Sequence, residues 1–497
     1  MPRRTSRAAR VLVAGATTLA LLLPVAAAAP VQAREPSEES PTPVTLWAPT
    51  RVIAYGYRNE VWTDLGLKVI AQGEPFEVRS TRSSYSDPIR TEWRSGERSG
   101  ALPAGTQKNF DGLPDFFTIT VQRVGQTAVR SYRRPACLNA WSERIRPEAP
   151  ARSPYPRACW ANPYALGTVQ GIQAGWATSA LDYSAAFRLP NGRYRVTASI
   201  APLYAESFGL GADETTRRLT LVVKGNRDHH PKDRPSSRPD ARAPEPADRA
   251  PTAPAGGEVG EVQPDLRSLP AWALHLSRNK RYLRFNATVW NAGDSPLVVD
   301  GFRRTGEHVM DAYQYFFDGE GNQTGYQQVG ELHWDDKDTH QHWHFQDFAR
   351  YSLLNADLTE VVRSRKEAFC LANTDVVDQT VPNALWDAER NDLSTSCGSR
   401  EALSIREVLA SGWGDTYAQF RAGQSFRIAD LPNGVYYVAV IANPDHRLVE
   451  HDLTNNTSLR RVVITGQGDK RRIRVPQVGL VVEPDYGLDQ PLPGGPR

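Results

Sequence analysis

The feature that most constrains the fold of this chain is a polar interruption near its middle. Residues 226–262 are rich in Pro, Asp, Arg, Ala and Glu and contain almost no large apolar side chain. Because such a segment cannot bury a core, we expect a disordered linker between two folded domains, at 43–225 and 263–466. The C-terminal tail, 467–497, is expected to be similarly loose.

Both domains show a pattern of short strands. Residues 194–200 and 435–441 are rich in β-branched and aromatic residues and follow Leu-Pro-Asn-Gly turns, which favours strands entered from tight turns. Long helical periodicity is scarce, and only residues 402–409 are expected to form a short helix. The predicted fold class is therefore all-β, with two β-sandwich-like domains joined by the linker.

The ends of the two domains also resemble each other. Residues 189–225 and 431–466 both begin with Leu-Pro-Asn-Gly, continue through Ile-Ala and a pair of arginines, and end at a glycine. A duplicated hairpin or domain would explain this order, and chance convergence of two sandwich hairpins is the alternative. If the domains are duplicates, the first copy has no histidine cluster, so we expect it to be a support or recognition module rather than a catalyst.

The beginning of the chain indicates export. Residues 1–33 combine four arginines, an apolar run and a small-residue end at Val31-Gln32-Ala33, which predicts a cleaved signal peptide and a secreted protein. A membrane anchor is the weaker alternative because Pro24 interrupts the apolar run. The formal net charge of the full chain is +3, and removal of the four arginines leaves it slightly negative, so nucleic-acid binding is not implied.

Export also favours disulfide formation. The four cysteines form two sequence-local pairs, so we expect the bonds Cys137–Cys159 and Cys370–Cys397. Each bond would contribute about 3–4 kcal/mol to stability in the chain-entropy model. Neither pair has the spacing of a thiol redox motif or a zinc ribbon.

Three alternating histidines predict a metal site. In an extended strand, the side chains of His340, His342 and His344 would project from one face and could occupy three positions around one transition metal. Imidazole suits copper, zinc, iron and nickel, so the spacing alone does not choose the metal. The alternative is a polar strand face that is rich in histidine.

The motifs of the second domain resemble those of the lysyl oxidase family. The segment from His340 to His344 is similar to the family's copper motif, whose three histidines bind copper. Lys366 begins Lys-Glu-Ala-Phe-Cys-Leu and Tyr417 ends Asp-Thr-Tyr. Both segments are similar to those that supply the two halves of the family's lysine tyrosylquinone cofactor. With the opening Pro-Asp-Leu and the closing Asn-Pro, these landmarks follow the family's order over about 263–466.

The resemblance implies a secreted copper amine oxidase. Copper and a lysine tyrosylquinone made from Lys366 and Tyr417 would oxidise a primary amine, either a small amine or a lysine of a protein substrate. O₂ is the electron acceptor, and the products are an aldehyde, ammonia and hydrogen peroxide. Taken alone, Lys366 has the features of a solvated strand lysine and Tyr417 those of a core aromatic. The sequence does not determine the oligomeric state.

The resemblance also implies a structural calcium site at the edge of the second domain. Calcium prefers carboxylate, amide and carbonyl oxygens. The candidate ligands are Asp265, the carbonyl of Leu266, Glu450, Asp452, Asn455 and Asn456. The alternative is an Asx-rich turn that closes a hairpin without a metal.

The sequence leaves the catalytic base open. Asp415 is an available carboxylate two residues before Tyr417, although an exposed turn aspartate is its more ordinary role. The family has a histidine shortly after the copper motif where this chain has Arg350, so the proton-transfer step departs from the family pattern. Further candidates, each more commonly a surface residue, are His333, His446 and His451.

Two other functions share these residues. A non-catalytic metal-binding adhesion or recognition protein would keep the histidines and never form the quinone, so it differs from the oxidase only at Lys366 and Tyr417. A cupin-like dioxygenase with non-haem iron would need a carboxylate ligand and a further histidine in a recurring pattern. Neither is evident in the sequence.

Overall fold

The computed structural model describes residues 42–181, 186–225, 259–304, 307–336, 342–364, 366, 368–387, 394–421 and 423–484. The predicted signal peptide and residues 226–258 of the predicted linker lie outside this set. The described chain is nearly all β, which confirms the predicted fold class. Neither of the two α-helices among these residues is long and apolar enough to cross a membrane.

The first domain consists mainly of short antiparallel strands. Its elements are β1 Thr45–Trp47, β2 Arg51–Tyr57, β3 Glu60–Val61, β4 Lys68–Ala71, β5 Phe76–Thr81, β6 Arg90–Ser95, β7 Arg98–Ala101, β8 Leu113–Arg123, β9 Val129–Ala136, β10 Ser142–Arg144, β11 Gly167–Ile172, β12 Trp176–Thr178, β13 Phe187–Arg188, β14 Gly192–Ile200, α1 Pro202–Phe208, α2 Ala212–Thr215 and β15 Thr216–Gly225. The described sheets have the strand orders β1-β4-β12-β10, β11-β5-β6-β7 and β13-β3-β2-β15-β14-β8-β9.

One apolar core joins the sheets of the first domain. Strand β14 alternates inward apolar with outward polar side chains, as expected for a strand with one buried face. Its Val196 lies in the same cluster as Val69, Phe76, Ile119 and Leu221, which come from four other strands. The sheets therefore pack face to face around a shared core, as in a sandwich.

The second domain is also built from antiparallel strands. Its elements are β16 Leu266–Ser268, β17 Trp272–Leu276, β18 Tyr282–Asn291, β19 Leu297–Arg303, β20 Val309–Phe317, β21 Gln323–Asp335, β22 His342–Gln346, β23 Ala349–Leu354, β24 Glu360–Arg363, β25 Ala368–Phe369, β26 Asp375–Val376, β27 Ser404–Leu409, β28 Trp413–Tyr417, β29 Ser425–Arg427, β30 Gly434–Ala442, β31 Thr457–Thr465, the 3₁₀ helix Gly468–Lys470 and β32 Arg472–Arg474.

These strands place the candidate site residues in two sheets. One sheet has the order β16-β18-β28-β26, with β17 and β29 also paired to β18, and a second has the order β25-β22-β21-β20-β19-β27. A third sheet, β24-β23-β30-β31-β32, packs with them around a core that includes Phe285, Trp343, Tyr351 and Phe426. The candidate copper strand and the Tyr417 strand thus share one core.

Residues 402–409 do not form the predicted helix. Ser404–Leu409 is strand β27, which pairs antiparallel with β19 between Leu297 and Phe302. Its short apolar run is compatible with a buried strand as well as with a helix. Cross-strand pairing and burial of most of its side chains override the weak local helical preference.

The two similar sequence ends fold into similar hairpins. Strands β14 and β15 pair antiparallel, as do β30 and β31. In the first hairpin the hydroxyl of Tyr194 donates to the carbonyl of Pro190 at 2.6 Å, and in the second Tyr436 donates to Pro432 at 2.8 Å. The same tyrosine-to-proline hydrogen bond therefore fixes the start of each hairpin.

Both predicted disulfide bonds are present, Cys137–Cys159 in the first domain and Cys370–Cys397 in the second. The described part of the tail is packed rather than loose. Strand β32 pairs with β31, and Glu483 forms a 2.6 Å salt bridge with Arg460. Residues 485–497 lie outside the described set.

The two predicted domains belong to one compact unit and meet along strand β26. The backbone N–H of Asn162 donates to the carbonyl of Val376 at 2.8 Å, and that of Leu166 donates to Val377 at 2.7 Å. Because β26 is the edge strand beside β28, the first domain continues the backbone hydrogen bonding of the sheet that carries Tyr417.

Candidate active site

The structure brings Lys366 and Tyr417 together. Lys366 follows strand β24 and Tyr417 is the last residue of β28. The Lys366 Nζ lies 4.6 Å from the centroid of the Tyr417 ring and 5.4 Å from that of Phe369. Lys366 is only 7% exposed, so the amine is held over the ring inside the protein.

The Tyr417 ring is fixed from several sides. Strand β18 pairs with β28 and places Ala287 opposite Tyr417. Phe369 packs edge-on against the ring with centroids 4.7 Å apart. The backbone N–H of Cys370 donates to the Tyr417 hydroxyl at 2.9 Å, and the hydroxyl donates to the Cys370 carbonyl at 3.2 Å. Burial, followed by the charges of Asp415 and Glu407, raises the pKa of Tyr417 well above its usual value.

Asp415 is not the exposed turn residue that its local sequence favours. It lies within strand β28 and is 2% exposed. Burial and then the nearby Asp375 raise the pKa of Asp415 well above its usual value, while Lys366 opposes this shift. Its Oδ2 accepts no hydrogen bond from any described residue. The structure therefore provides a buried carboxyl group beside the Lys366–Tyr417 pair.

Glu407 is a second buried carboxyl group that the sequence analysis missed. It lies on β27, is fully buried, and its Oε2 accepts the backbone N–H of Leu371 at 2.9 Å. Burial raises the pKa of Glu407 well above its usual value, Asp415 raises it further, and Lys366 lowers it. A glutamate within an apolar strand is the signal that could have identified it, and the helical interpretation of residues 402–409 concealed that signal.

The two described histidines of the candidate copper motif face the same way. His342 and His344 alternate on β22, and their ring centroids are 4.5 Å apart. His344 is 2% exposed, and its Nδ1 lies 3.9 Å from Asp335 Oδ2 on the neighbouring strand β21. His340 lies outside the described residues. Asp335 is a carboxylate near the cluster that the sequence analysis did not single out.

This donor set fits copper. The rings of His342 and the buried His344 lie close together, and a carboxylate lies near His344. Imidazole is a ligand type that suits copper. A carboxylate near a metal-binding histidine commonly orients its ring. Trp343, between the two histidines, points to the opposite face and packs in the core against Trp334, with ring centroids 5.8 Å apart.

Strand pairing connects the histidines to Tyr417. Strand β22 pairs with β25, placing Phe345 opposite Phe369 and Gln346 opposite Ala368. Continuing this register by one residue puts Cys370 opposite His344. Because the Tyr417 hydroxyl bonds to the backbone of Cys370, the candidate copper strand runs directly beside the tyrosine.

The predicted calcium ligands also cluster. Glu450 Oε2 accepts the backbone N–H of Leu266 at 2.7 Å, and its Oε1 accepts the amide of Asn456 at 2.8 Å. The side-chain amide of Asn455 donates to Asp265 at 2.9 Å and to Asp452 at 3.2 Å. The domain's first strand is thereby tied to the segment between β30 and β31.

Two buried oxygens in this cluster fit a hard cation. The side-chain carbonyls of Asn455 and Asn456 accept no hydrogen bond from the described residues, and burial raises the pKa of the Glu450 carboxyl group. A cation would use such oxygens and favour the ionised carboxylate. The amide-to-carboxylate bonds also satisfy an Asx-rich turn, so the calcium site stays a prediction.

The remaining candidates lie on the surface. His333 is about half exposed, and its Nε2 is paired with Glu331 at 2.9 Å. His446 and His451 are exposed. Arg350, at the position where the family has a histidine, forms a 3.1 Å ion pair with Asp445.

Residues 318–472 match the family model described as Lysyl oxidase. This stretch contains the histidine motif, Lys366 and Tyr417. Lysyl oxidase homolog 2 of Bos taurus is 27% identical over 179 residues, 36% of this chain and 17% of that protein. The Homo sapiens homolog 2 is 26% identical over 178 residues, with the same coverage of 36% and 17%.

Lysyl oxidase homolog 3B of Danio rerio is 30% identical over 118 residues, 24% of this chain and 13% of that protein. The chain thus spans less than a fifth of the length of these relatives. The first domain lies outside the stretch that matches the family model.

Proposed function

We propose that this chain, whose residues 318–472 match the lysyl oxidase family model, is a secreted, copper-dependent amine oxidase. It oxidises a primary amine, either a small amine or a lysine of a protein substrate. For an amine RCH₂NH₂, reaction with O₂ and water gives RCHO, NH₃ and H₂O₂. The observation that carries the proposal is the 4.6 Å separation of the Lys366 amine from the Tyr417 ring.

In this function His340, His342 and His344 would hold the copper. Copper supplies one-electron exchange with O₂, and the quinone formed from Lys366 and Tyr417 supplies a reactive carbonyl to the substrate amine. The residues around Tyr417 determine which position of its ring meets the amine of Lys366. Two hydrogen bonds to Cys370 and the edge of Phe369 prevent Tyr417 from rotating while Lys366 approaches its face.

Asp415 is the carboxylate that we assign to proton transfer. A general base is most effective when its pKa is near the working pH, and burial moves the pKa of Asp415 in that direction. Its Oδ2 accepts no hydrogen bond from the described residues, so this atom is available to receive the proton that leaves the carbon next to the substrate nitrogen. Glu407 Oε1 is the second available oxygen, while its other oxygen holds the Leu371 backbone.

We also propose that the protein binds calcium as a structural ion and that it is secreted. Calcium at Asp265, Leu266, Glu450, Asp452, Asn455 and Asn456 would tie the start of the domain to its closing hairpin. Two disulfide bonds and no free cysteine among the described residues support an oxidising compartment.

The test is mass spectrometry of copper-loaded, secreted protein before and after phenylhydrazine treatment. The expected result is a crosslinked Lys366–Tyr417 peptide that gains the mass of the hydrazone, and Lys366→Arg should yield neither. Arginine keeps a cation over the ring and lacks a primary amine. Separate, unmodified peptides after exposure to copper and O₂ would instead support the non-catalytic metal-binding protein.

A further inference from the structure

We infer that Asn162, in the first domain, is a positioning residue for Tyr417 in the second domain. The inference rests on the proposed function, because it treats Tyr417 as the cofactor precursor. Asn162 lies between strands β10 and β11, outside the residues that match the family model. Its side chain nevertheless enters the polar network beside Tyr417.

The contacts of the Asn162 amide cross the domain boundary. Its Nδ2 lies 2.7 Å from Asp375 Oδ2, 2.9 Å from Thr288 Oγ1 and 3.5 Å from Thr416 Oγ1. Thr288 and Thr416 are cross-strand partners on β18 and β28, and their hydroxyls are 2.6 Å apart. Thr416 immediately precedes Tyr417, so the amide contacts the residue that sets the tyrosine's position.

This end of β28 depends on side chains for its support. On one side β18 pairs with it along its length, but on the other side β26 pairs only with Trp413 and Gly414. Beyond Gly414, the backbone N–H of Thr416 donates to Thr374 Oγ1 at 2.7 Å. That hydroxyl in turn donates to Asp375 Oδ1 at 2.5 Å. Asp375 is therefore the anchor for the Tyr417 end of the strand.

Asn162 completes the set of donors around that anchor. Asp375 is partly buried, and hydrogen bonds from Thr374, Thr416 and Asn162 oppose the rise in its pKa caused by burial. Removing a hydrogen-bond donor costs more free energy when the carboxyl group is shielded from water than when it is exposed. Because Asp375 also acts on Asp415, the amide of Asn162 influences both the position of Tyr417 and the charge beside it.

The two halves of the amide have separate tasks. The Asn162 Oδ1 accepts the backbone N–H of Tyr164 at 2.9 Å, which is a local turn within the first domain. The Nδ2 alone faces the second domain. Aspartate at this position keeps an oxygen for the turn and replaces the Nδ2 donor by a carboxyl oxygen, so Asn162→Asp removes the donor to Asp375 and introduces an acid beside it.

A matched control exists in the same interface. Gln379 is a buried amide of the second domain whose Oε1 accepts the backbone N–H of Val169 in the first domain at 2.8 Å. Gln379→Glu also places a buried acid between the domains, but it keeps the acceptor. The Gln379 side chain bonds to Val169 and not to β28, so the control measures the cost of a buried charge without the loss of a donor to the Tyr417 strand.

The experiment uses the full chain and follows crosslinked Lys366–Tyr417 peptide per bound copper. For Asn162→Asp we expect the yield of crosslinked peptide to fall about tenfold. This is the effect expected when one charge-assisted hydrogen bond is lost. We also expect faster hydrogen exchange at the backbone amides of β28. Gln379→Glu should match the wild type in both readouts. Melting temperature and copper content identify any general loss of folding.

A reciprocal pair of substitutions keeps the inference testable if the single variant folds poorly. Asn162→Asp combined with Asp375→Asn reverses the direction of the hydrogen bond and should restore yield and exchange. A folded double variant without the crosslink would contradict the inference. So would an unchanged Asn162→Asp, or parallel losses in Asn162→Asp and Gln379→Glu that follow their melting temperatures.

The crosslink yield of the wild type distinguishes failure of the proposed function from failure of the positioning role alone. If the wild type forms no crosslink, the oxidase proposal and the positioning role fail together, whatever the variants do. If the wild type forms the crosslink and Asn162→Asp forms it equally well, only the positioning role fails. The exchange of β28 amides then shows whether Asn162 orders the strand at all.

Discussion

The hydroxyl of Tyr417 bonds to both backbone polar groups of Cys370, accepting from its N–H at 2.9 Å and donating to its carbonyl at 3.2 Å. Cys370 is also joined to Cys397 by a disulfide bond. The Cys370–Cys397 disulfide bond therefore restrains the backbone segment to which the Tyr417 hydroxyl is hydrogen-bonded. The two disulfide bonds of the chain should consequently differ in their effect on the cofactor.

Replacing Cys370 and Cys397 by serine should lower both stability and quinone formation. Each disulfide closes a loop of similar length, with sequence separations of 27 and 22, so loss of either should cost about 3–4 kcal/mol of unfolding free energy. Only the Cys370 pair should reduce the phenylhydrazine-reactive chromophore per folded molecule. Serine at Cys137 and Cys159 is the control, and an equal loss of chromophore in that variant would refute the link to Tyr417.

Tyr417→Phe should abolish amine oxidation because a phenyl ring lacks the oxygen from which the quinone is made. It should also cost about 1 kcal/mol of stability through the lost hydrogen bonds. Peroxide release from a primary amine and urea denaturation measure the two effects. Tyr436→Phe removes a comparable hydrogen bond, to Pro432, and should keep full turnover. Residual turnover in Tyr417→Phe above that of metal-free protein would contradict the assignment.

His344→Ala should prevent stoichiometric copper binding, since it removes a buried imidazole from the proposed ligand set. Copper content after dialysis, measured by atomic absorption, is the readout. His333→Ala should retain copper, because that ring is half exposed and paired with Glu331. Loss of copper in His333→Ala would make this histidine a ligand after all.

Asp415→Asn should separate stability from catalysis. The folded-state pKa of Asp415 is raised, so its contribution to stability is complete below its unfolded pKa of about 3.9 and is lost as pH rises through the folded value. Asparagine does not titrate. The variant should therefore gain stability relative to wild type as pH increases from about 4 to 8, measured by urea denaturation.

The same variant should lose activity at every pH. Removal of a general base typically costs about 10²-fold or more, and amine turnover with preformed quinone measures it. If Asp415→Asn follows the wild type in both its stability profile and its turnover, the carboxyl group is neither a buried charge nor the base.

Chelation of calcium should lower the melting temperature of the wild type, and added calcium should restore it. A ligand at 100 times its dissociation constant stabilises by about 2.7 kcal/mol. Asp452→Ala should reduce this response. Asp445→Ala is the control. Asp445 lies in the same connection between β30 and β31 but pairs with Arg350, so calcium should raise the melting temperature of this variant as it does for the wild type. A melting temperature that is the same with calcium and after chelation would favour the metal-free Asx-rich turn.

The sequence motifs anticipated residues whose roles are local in character. Alternation placed His342 and His344 on one face, and the family segments paired Lys366 with Tyr417. Cysteine spacing predicted both disulfide bonds. In each case a short pattern carried the information, because strand geometry and motif order do not depend on distant parts of the chain.

Residues whose role depends on tertiary contact escaped the sequence analysis. Asp415 looked like a turn residue because nothing local shows that this part of β28 is buried. Glu407 was hidden by a helical interpretation of an apolar run that cross-strand pairing turns into β27. Asn162 and Thr416 are 254 positions apart in the sequence, and an asparagine in a loop gives no sign of such a distant partner.

The cover over strand β26 has a consequence for self-association. Exposed strand edges readily pair with other chains, and residues 161 and 167 bridge to Val376 and Asp378 at this edge. These bridges occupy backbone groups with which a second chain would otherwise pair. A segment outside the family match thus keeps this edge of the Tyr417 sheet from joining another molecule.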